Sequence, residues 1–285
     1  MHYVGQKPTN VPNWLIDTKK TYPAWGGTAA RLMMPLVYSL TKPVRGDLTG
    51  DGTWALVPPP LLGQGKKTQT AWLYDFLLDP HPIRPAAVLR MPKFNMSGDE
   101  ARKLVAYFAA VDNAVHPYQF DQRTRTEHLV STEAERPERL DDALRLTVVV
   151  CKQCHKMGDF APAGQPAAMA PNLDRIHKRL RPDYLRQWLA KPTSILPYTN
   201  MPANFERNQA TNQNLYHGTT SEQLDAVTDL LLNYDQVMKD RATISKLVEE
   251  WSPPAVPGAA TPDAADAATP PATTNPDQPE PDPDQ

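Results

Sequence analysis

The chain has 285 residues, 40% of them hydrophobic, and a formal net charge of −2. That is enough for two modest domains, and the charge balance argues against a dedicated nucleic-acid binder, which carries a basic stripe. No run approaches the roughly 18 apolar residues of a membrane span.

The first residues, "MHYVGQKPTNVPNW", lack a charged region followed by an apolar one and so are no secretory signal. On that reading the protein is either cytoplasmic or a mature form or fragment without its leader. "AARLMMPLVYSL" (29–40) is a helix dense in Leu, Met and Val. "TAWLYDFLLDP" (70–80) is a short helix stopped by Pro80. "SGDEARKLVAYFAAVD" (97–112) is expected to start at Ser97 as N-cap and to turn Leu104, Tyr107, Phe108 and Val111 inward. "RPERLDDALRLTVVV" (136–150) is a third helix, running straight into Cys151, and "RPDYLRQWLAKP" (181–192) is a fourth, stopped by Pro192. In 221–239 the stripe Leu224, Val227, Leu231, Tyr234 and Met238 predicts an amphipathic helix capped by Ser221. Strand alternation is scarce, so the fold class is mainly α. From Ser252 onward the chain is made of Pro, Ala, Asp and Thr almost throughout. Such a composition cannot bury enough surface to offset its ordering entropy, and 252–285 is expected to be a disordered acidic tail.

Two of these helices belong to an internal repeat. Trp72, Leu73, Phe76, Leu77, Pro80, Ile83 and Pro85 align with Tyr184, Leu185, Trp188, Leu189, Pro192, Ile195 and Pro197 at an offset of 112 residues. Met91-Pro92 then aligns with Met201-Pro202 at 110. Each unit is followed by a Ser-capped amphipathic helix. Two copies of one helical domain account for the pattern.

"VVVCKQCHKMGDF" (148–160) holds both cysteines of the chain, Cys151 and Cys154, with His155 directly behind them. A CxxC pair serves as a redox dithiol, as half of a zinc site or as a covalent clamp for haem. Zinc needs two further good ligands, and His177 and His217 lack the usual spacing. A redox dithiol expects a βαβ context, whereas here a helix leads in and proline-rich loops lead out. Haem accounts for all the parts: two thioether anchors, an adjacent imidazole for the iron, and a downstream thioether as second axial ligand. Met201 is preferred for that last role over Met157 and Met169.

With "CKQCH", "APNL" (170–173), "YLRQWLAKP" (184–192), "PYTNMP" (197–202) and the closing helix in this order, residues 136–240 resemble a class I c-type cytochrome domain. The resemblance implies Cys151 and Cys154 as thioether anchors and His155 as proximal ligand. It implies Met201 as distal ligand and the Pro171 carbonyl as acceptor for the other nitrogen of His155. Trp188 and Tyr198 would line the pocket or reach a propionate. A domain of this type is expected to use haem as much of its core, and both cysteines, alkylated, would form no disulfide.

The resemblance further implies a tandem arrangement. Residues 1–115 would be a cytochrome c-like domain without its attachment motif, 116–135 a linker and 136–251 the haem domain. The first unit would be either degenerate or truncated. If truncated, Met91 rather than Met96 awaits a second haem. If degenerate, Leu32, Met33, Leu36 and Val37 are expected to fill the pocket against Trp72 and Phe76. One covalent haem c, redox protein partners and an extracytoplasmic, periplasmic-type location follow from the same likeness. The expected function is electron transfer rather than enzymatic turnover. The alternatives are a piece of a dihaem, peroxidase-like enzyme and a haem-bearing docking subunit of a larger oxidoreductase.

Overall fold

The computed structural model describes residues 2–4, 7–9, 27–54, 56–57, 59–84, 91–118, 121–163, 170–205 and 212–251. These are mainly helical, as the apolar spacing requires. His2–Val4 and Lys7–Thr9 pair as a short antiparallel hairpin. Then come α1 (Gly27–Thr41), α2 (Gly50–Trp54), α3 (Gln64–Lys67), α4 (Thr70–Leu78), α5 (Gly98–Val111) and α6 (Thr126–Glu135). They are followed by α7 (Arg139–Cys151), α8 (Ile176–Arg179), α9 (Pro182–Ala190), α10 (Pro192–Ile195), α11 (Thr220–Leu232), α12 (Tyr234–Met238) and α13 (Ile244–Trp251). The expected tail, 252–285, lies outside the described residues.

Local chemistry sets the helix ends. Ser97 and Glu100 close a capping box at the start of α5. Thr219 and Glu222 do the same for α11, so the cap there is Thr219 and not Ser221. In each box a side-chain oxygen and a carboxylate satisfy backbone N–H groups that have no partner within the helix. Pro182 and Pro192 open α9 and α10, where a missing N–H costs nothing. The expected helix 221–239 breaks in two at Asn233, whose side chain donates to the Asp229 and Arg123 carbonyls. Side-chain bonding of that kind competes with the helical ladder.

Two hydrophobic clusters lie within the compact unit Met1–Trp251. The larger joins α7, α9 and α11 through Leu144, Val148, Leu185, Leu189, Val227 and Leu230, all buried. The smaller joins α4 and α5 through Leu73, Leu77, Ala101 and Val105. The stretch expected as a linker carries α6, and its Leu129 is part of the larger cluster.

The inward face of α5 differs in part from the one its sequence suggests. Ala101, Val105 and Ala109 are buried, whereas Tyr107 is 60% and Val111 64% exposed. The reason is a close backbone approach. A Cβ on Gly65 would stand 2.3 Å from the Phe108 carbonyl oxygen and 2.8 Å from the Ala109 Cα. Small residues are selected where α3 meets α5, and Tyr107 and Val111 turn outward, while Leu104 and Phe108 pack partly buried against the smaller cluster as expected. Gly65→Ala is expected to destabilise the protein by about 1–3 kcal/mol through overpacking, read as a lower denaturant midpoint at unchanged slope; an unchanged midpoint would refute the close approach.

The repeat is visible in the backbone. α3 and α8 are both four residues long and α4 and α9 both nine, each pair separated by 112 positions. Thr68 bridges Leu180, its own counterpart in the repeat. Gln69 N–H donates to the Arg179 carbonyl at 2.9 Å, and Arg181 N–H to the Lys67 carbonyl at 3.0 Å. Counterpart meets counterpart in both directions, which is the signature of a local twofold axis between the units.

The expected filler helix behaves otherwise. α1 packs chiefly on α2, Leu32 and Met33 are 37% and 43% exposed, and no α1 residue belongs to the cluster around Leu73 and Leu77. The apolar face of α4 is covered instead by α5, with Met91 and Met96 packed at its edge.

Candidate functional site

Cys151 is the last residue of α7, and the turn that follows carries the His155 N–H back onto the Cys151 carbonyl at 3.0 Å. Ala170 N–H then donates to the Cys154 carbonyl at 2.8 Å, and Leu173 N–H to the Lys156 carbonyl at 2.9 Å. These two bonds pin the chain after the motif beside the chain that follows Met169. The Pro171 carbonyl is thereby held 2.6 Å from His155 Nδ1. With Nδ1–H donating to that carbonyl, the Nε2 lone pair is the one available to a metal. Burial holds the His155 pKa below its usual value, against the opposing pull of the Pro171 bond. Burial thus favours the neutral imidazole, the form in which a histidine ligates.

Both cysteines are free, Cys154 exposed and Cys151 partly covered. Burial, with a smaller contribution from Cys154, pushes the Cys151 thiol up to about 12. A redox dithiol or a zinc site draws on a thiolate, which this surrounding disfavours. Among the described residues no group of three or more His, Cys, Asp or Glu side chains is arranged to hold a metal ion.

Met201 packs partly buried against the larger cluster. Its Sδ accepts a hydrogen bond from Trp188 Nε1 at 2.9 Å. A thioether sulfur has two lone pairs, so one remains for a metal. Trp188 stacks on Tyr184 and Tyr198 stacks on Trp54, with ring centroids 6.2 and 6.1 Å apart. The structure thus brings His155 onto Pro171 and Met201 onto Trp188. Of the alternatives to Met201, Met157 is enclosed in the core at 1% exposure and Met169 lies outside the described residues. Met91 packs against the smaller cluster, where Phe76 holds the position that Trp188 holds in the second unit.

Sequence reasoning missed the first unit's approach to this site. Trp54 stacks on Tyr198, and Lys67 Nζ lies 5.8 Å from the Tyr184 ring centroid. The repeat held a signal for Lys67, since its counterpart at 112 positions is Arg179, another cation. Arg179 in turn lies 5.9 Å over Trp72, the counterpart of Tyr184. Trp54 carried no such signal.

Comparison with family models, with curated proteins and with solved structures gives no match. Among the described residues no helix is long and apolar enough to cross a membrane.

Proposed function

We propose that the chain is an electron-transfer protein of the c-type cytochrome kind, with haem attached through Cys151 and Cys154 and iron held by His155 and Met201. The observation that carries this reading is the 2.6 Å contact of His155 Nδ1 with the Pro171 carbonyl, which fixes the imidazole in the tautomer a ligand needs. The donor set fits the group: two free thiols, a neutral imidazole with its Nε2 uncommitted, and a thioether held by Trp188. Bound there, the haem would supply a one-electron Fe(II)/Fe(III) couple.

The protein's own residues do the rest. Pro171 orients the proximal ring and raises its basicity, and Trp188 steers the sulfur of Met201. The core of α7, α9 and α11 keeps water from the surrounding side chains. Residues 136–251 act as the haem domain in this reading and residues 1–115 as its haem-free repeat. The partners are redox proteins, and maturation takes place outside the cytoplasm. The apolar packing of Met91, with Phe76 in place of a Trp donor, favours one haem over the two of a dihaem enzyme.

A pyridine haemochrome assay on the protein exported in a host with haem-attachment machinery is expected to count one haem per chain. Met201→Ala is expected to keep that haem, to lose the weak red absorption of iron–sulfur ligation and to lower the reduction potential, because a thioether favours Fe(II). A haem count of zero overturns the reading; an unchanged spectrum in Met201→Ala removes Met201 from it.

A further inference from the structure

At the junction of the two repeats the cations Lys67 and Arg179 converge, with Arg84 near them. Lys67 and Arg179 are counterparts in the repeat, and the paired backbone at Thr68 and Leu180 brings them to one place. Each covers an aromatic ring of the opposite unit, Lys67 over Tyr184 and Arg179 over Trp72. Arg84 stands close enough to repel both and to act on Tyr184 and Tyr198. Among the described residues, no carboxylate forms an ion pair with Lys67, Arg84 or Arg179.

We infer that Lys67, Arg84 and Arg179 form a site for two carboxylates, and that its ligand is the pair of haem propionates, so that the first repeat completes the pocket of the second. The inference rests on the haem reading above. Contacts link the cations to the candidate ligands: Lys67 lies over Tyr184, Tyr184 stacks on Trp188, and Trp188 donates to the sulfur of Met201. On the other side, Tyr198 follows the same loop and is stacked by Trp54 of the first repeat. Lys67 and Arg179 are partly buried, with the exposed Arg84 beside them, and cations so placed call for an anion, since aromatic faces alone leave the charges uncompensated. Consistent with this, burial and the neighbouring Arg179 and Arg84 depress Lys67 to about 7, and burial lowers Arg179 to about 10. The site also explains why a repeat with no attachment motif keeps a cation and an aromatic at the positions facing its partner.

The test uses the haem-loaded full chain and its Lys67→Met, Lys67→Arg and Arg179→Met variants, each with its haem counted. A cation beside the propionates favours the reduced state. At a fixed poise, Lys67→Met and Arg179→Met are expected to raise the ratio of oxidised to reduced protein about three- to tenfold; tenfold is 59 mV for a one-electron couple. Lys67→Arg should restore the ratio, which a role in packing alone would not require. A full haem count with unchanged ratios across pH 6–9 overturns the inference and leaves the haem reading standing. A haem count of zero in the wild type overturns both. Inorganic phosphate that raises the melting temperature of the haem-loaded wild type but not of Lys67→Met assigns the site to a free anion, and that too overturns the propionate assignment.

Discussion

Replacing Cys151 and Cys154 together by alanine is expected to leave no haem on the chain after acid–acetone extraction, where the wild type keeps its full complement. On the proposed reading the thioether bonds would have no substitute, because these are the only two cysteines in the sequence. The fate of the fold is a separate question, on which the packing of the helices bears. Seen from the sequence, haem makes up much of the core. In the structure, α7, α9 and α11 meet directly through Leu144, Leu185, Val227 and Leu230, all at 2% exposure or less. Side chains packed in this way hold helices together without a prosthetic group. The double variant should therefore keep most of its helical circular dichroism while melting at a lower temperature, since a ligand that binds only the folded state is lost. Complete loss of helicity would mean that the haem, and not this cluster, organises the domain.

The largest effect on stability is expected from Asp229→Ala. This carboxylate is 1% exposed and accepts from Arg123 Nη1 and Arg139 Nη2, each at 2.7 Å, with His128 Nε2 at 3.1 Å. Arg123 also donates to Asp225 at 2.7 Å, which Arg186 of α9 shares at the same distance. One buried anion thus ties α7 and the stretch before α6 to the middle of α11. Its removal leaves the buried Arg139 guanidinium without that partner, and breaking a buried pair from one side costs about 3–5 kcal/mol. Urea denaturation of Asp229→Ala should show a loss of that size. A loss below about 1 kcal/mol would show that the network sets specificity and not stability.

That network also explains why 116–135 looked like a linker. Its sequence has few apolar residues, and among its described residues only Leu129 enters the core. What anchors it is Arg123 and His128 reaching carboxylates 106 and 101 positions away. Charge pairing over such separations has no period and leaves no local trace. The expected α1 filler failed for a related reason. Apolar content shows that a helix needs covering and is silent about which neighbour covers it, here α2. In α5, Leu104 and Phe108 pack where the spacing puts them, and the approach of Gly65 buries Ala109 beside them and leaves Tyr107 and Val111 outside.

The sequence by itself determined the mainly helical class, the positions of α1, α4, α5, α7, α9 and α11, the Ser97 cap and the offset of the repeat. It also singled out the order of Cys151, Cys154, His155, Pro171 and Met201 along the chain. These are readable because they depend on spacing, on proline and on capping chemistry, all confined to a few neighbouring residues. The family likeness already pointed to the contact of Pro171 with His155 Nδ1, and only the tertiary structure decided that Trp188 meets Met201. It alone joined the repeats about Thr68 and Leu180 and brought Lys67 to Arg179. Contacts between residues far apart in the chain are set by which surfaces pack best together, a property of the folded whole and of no single segment.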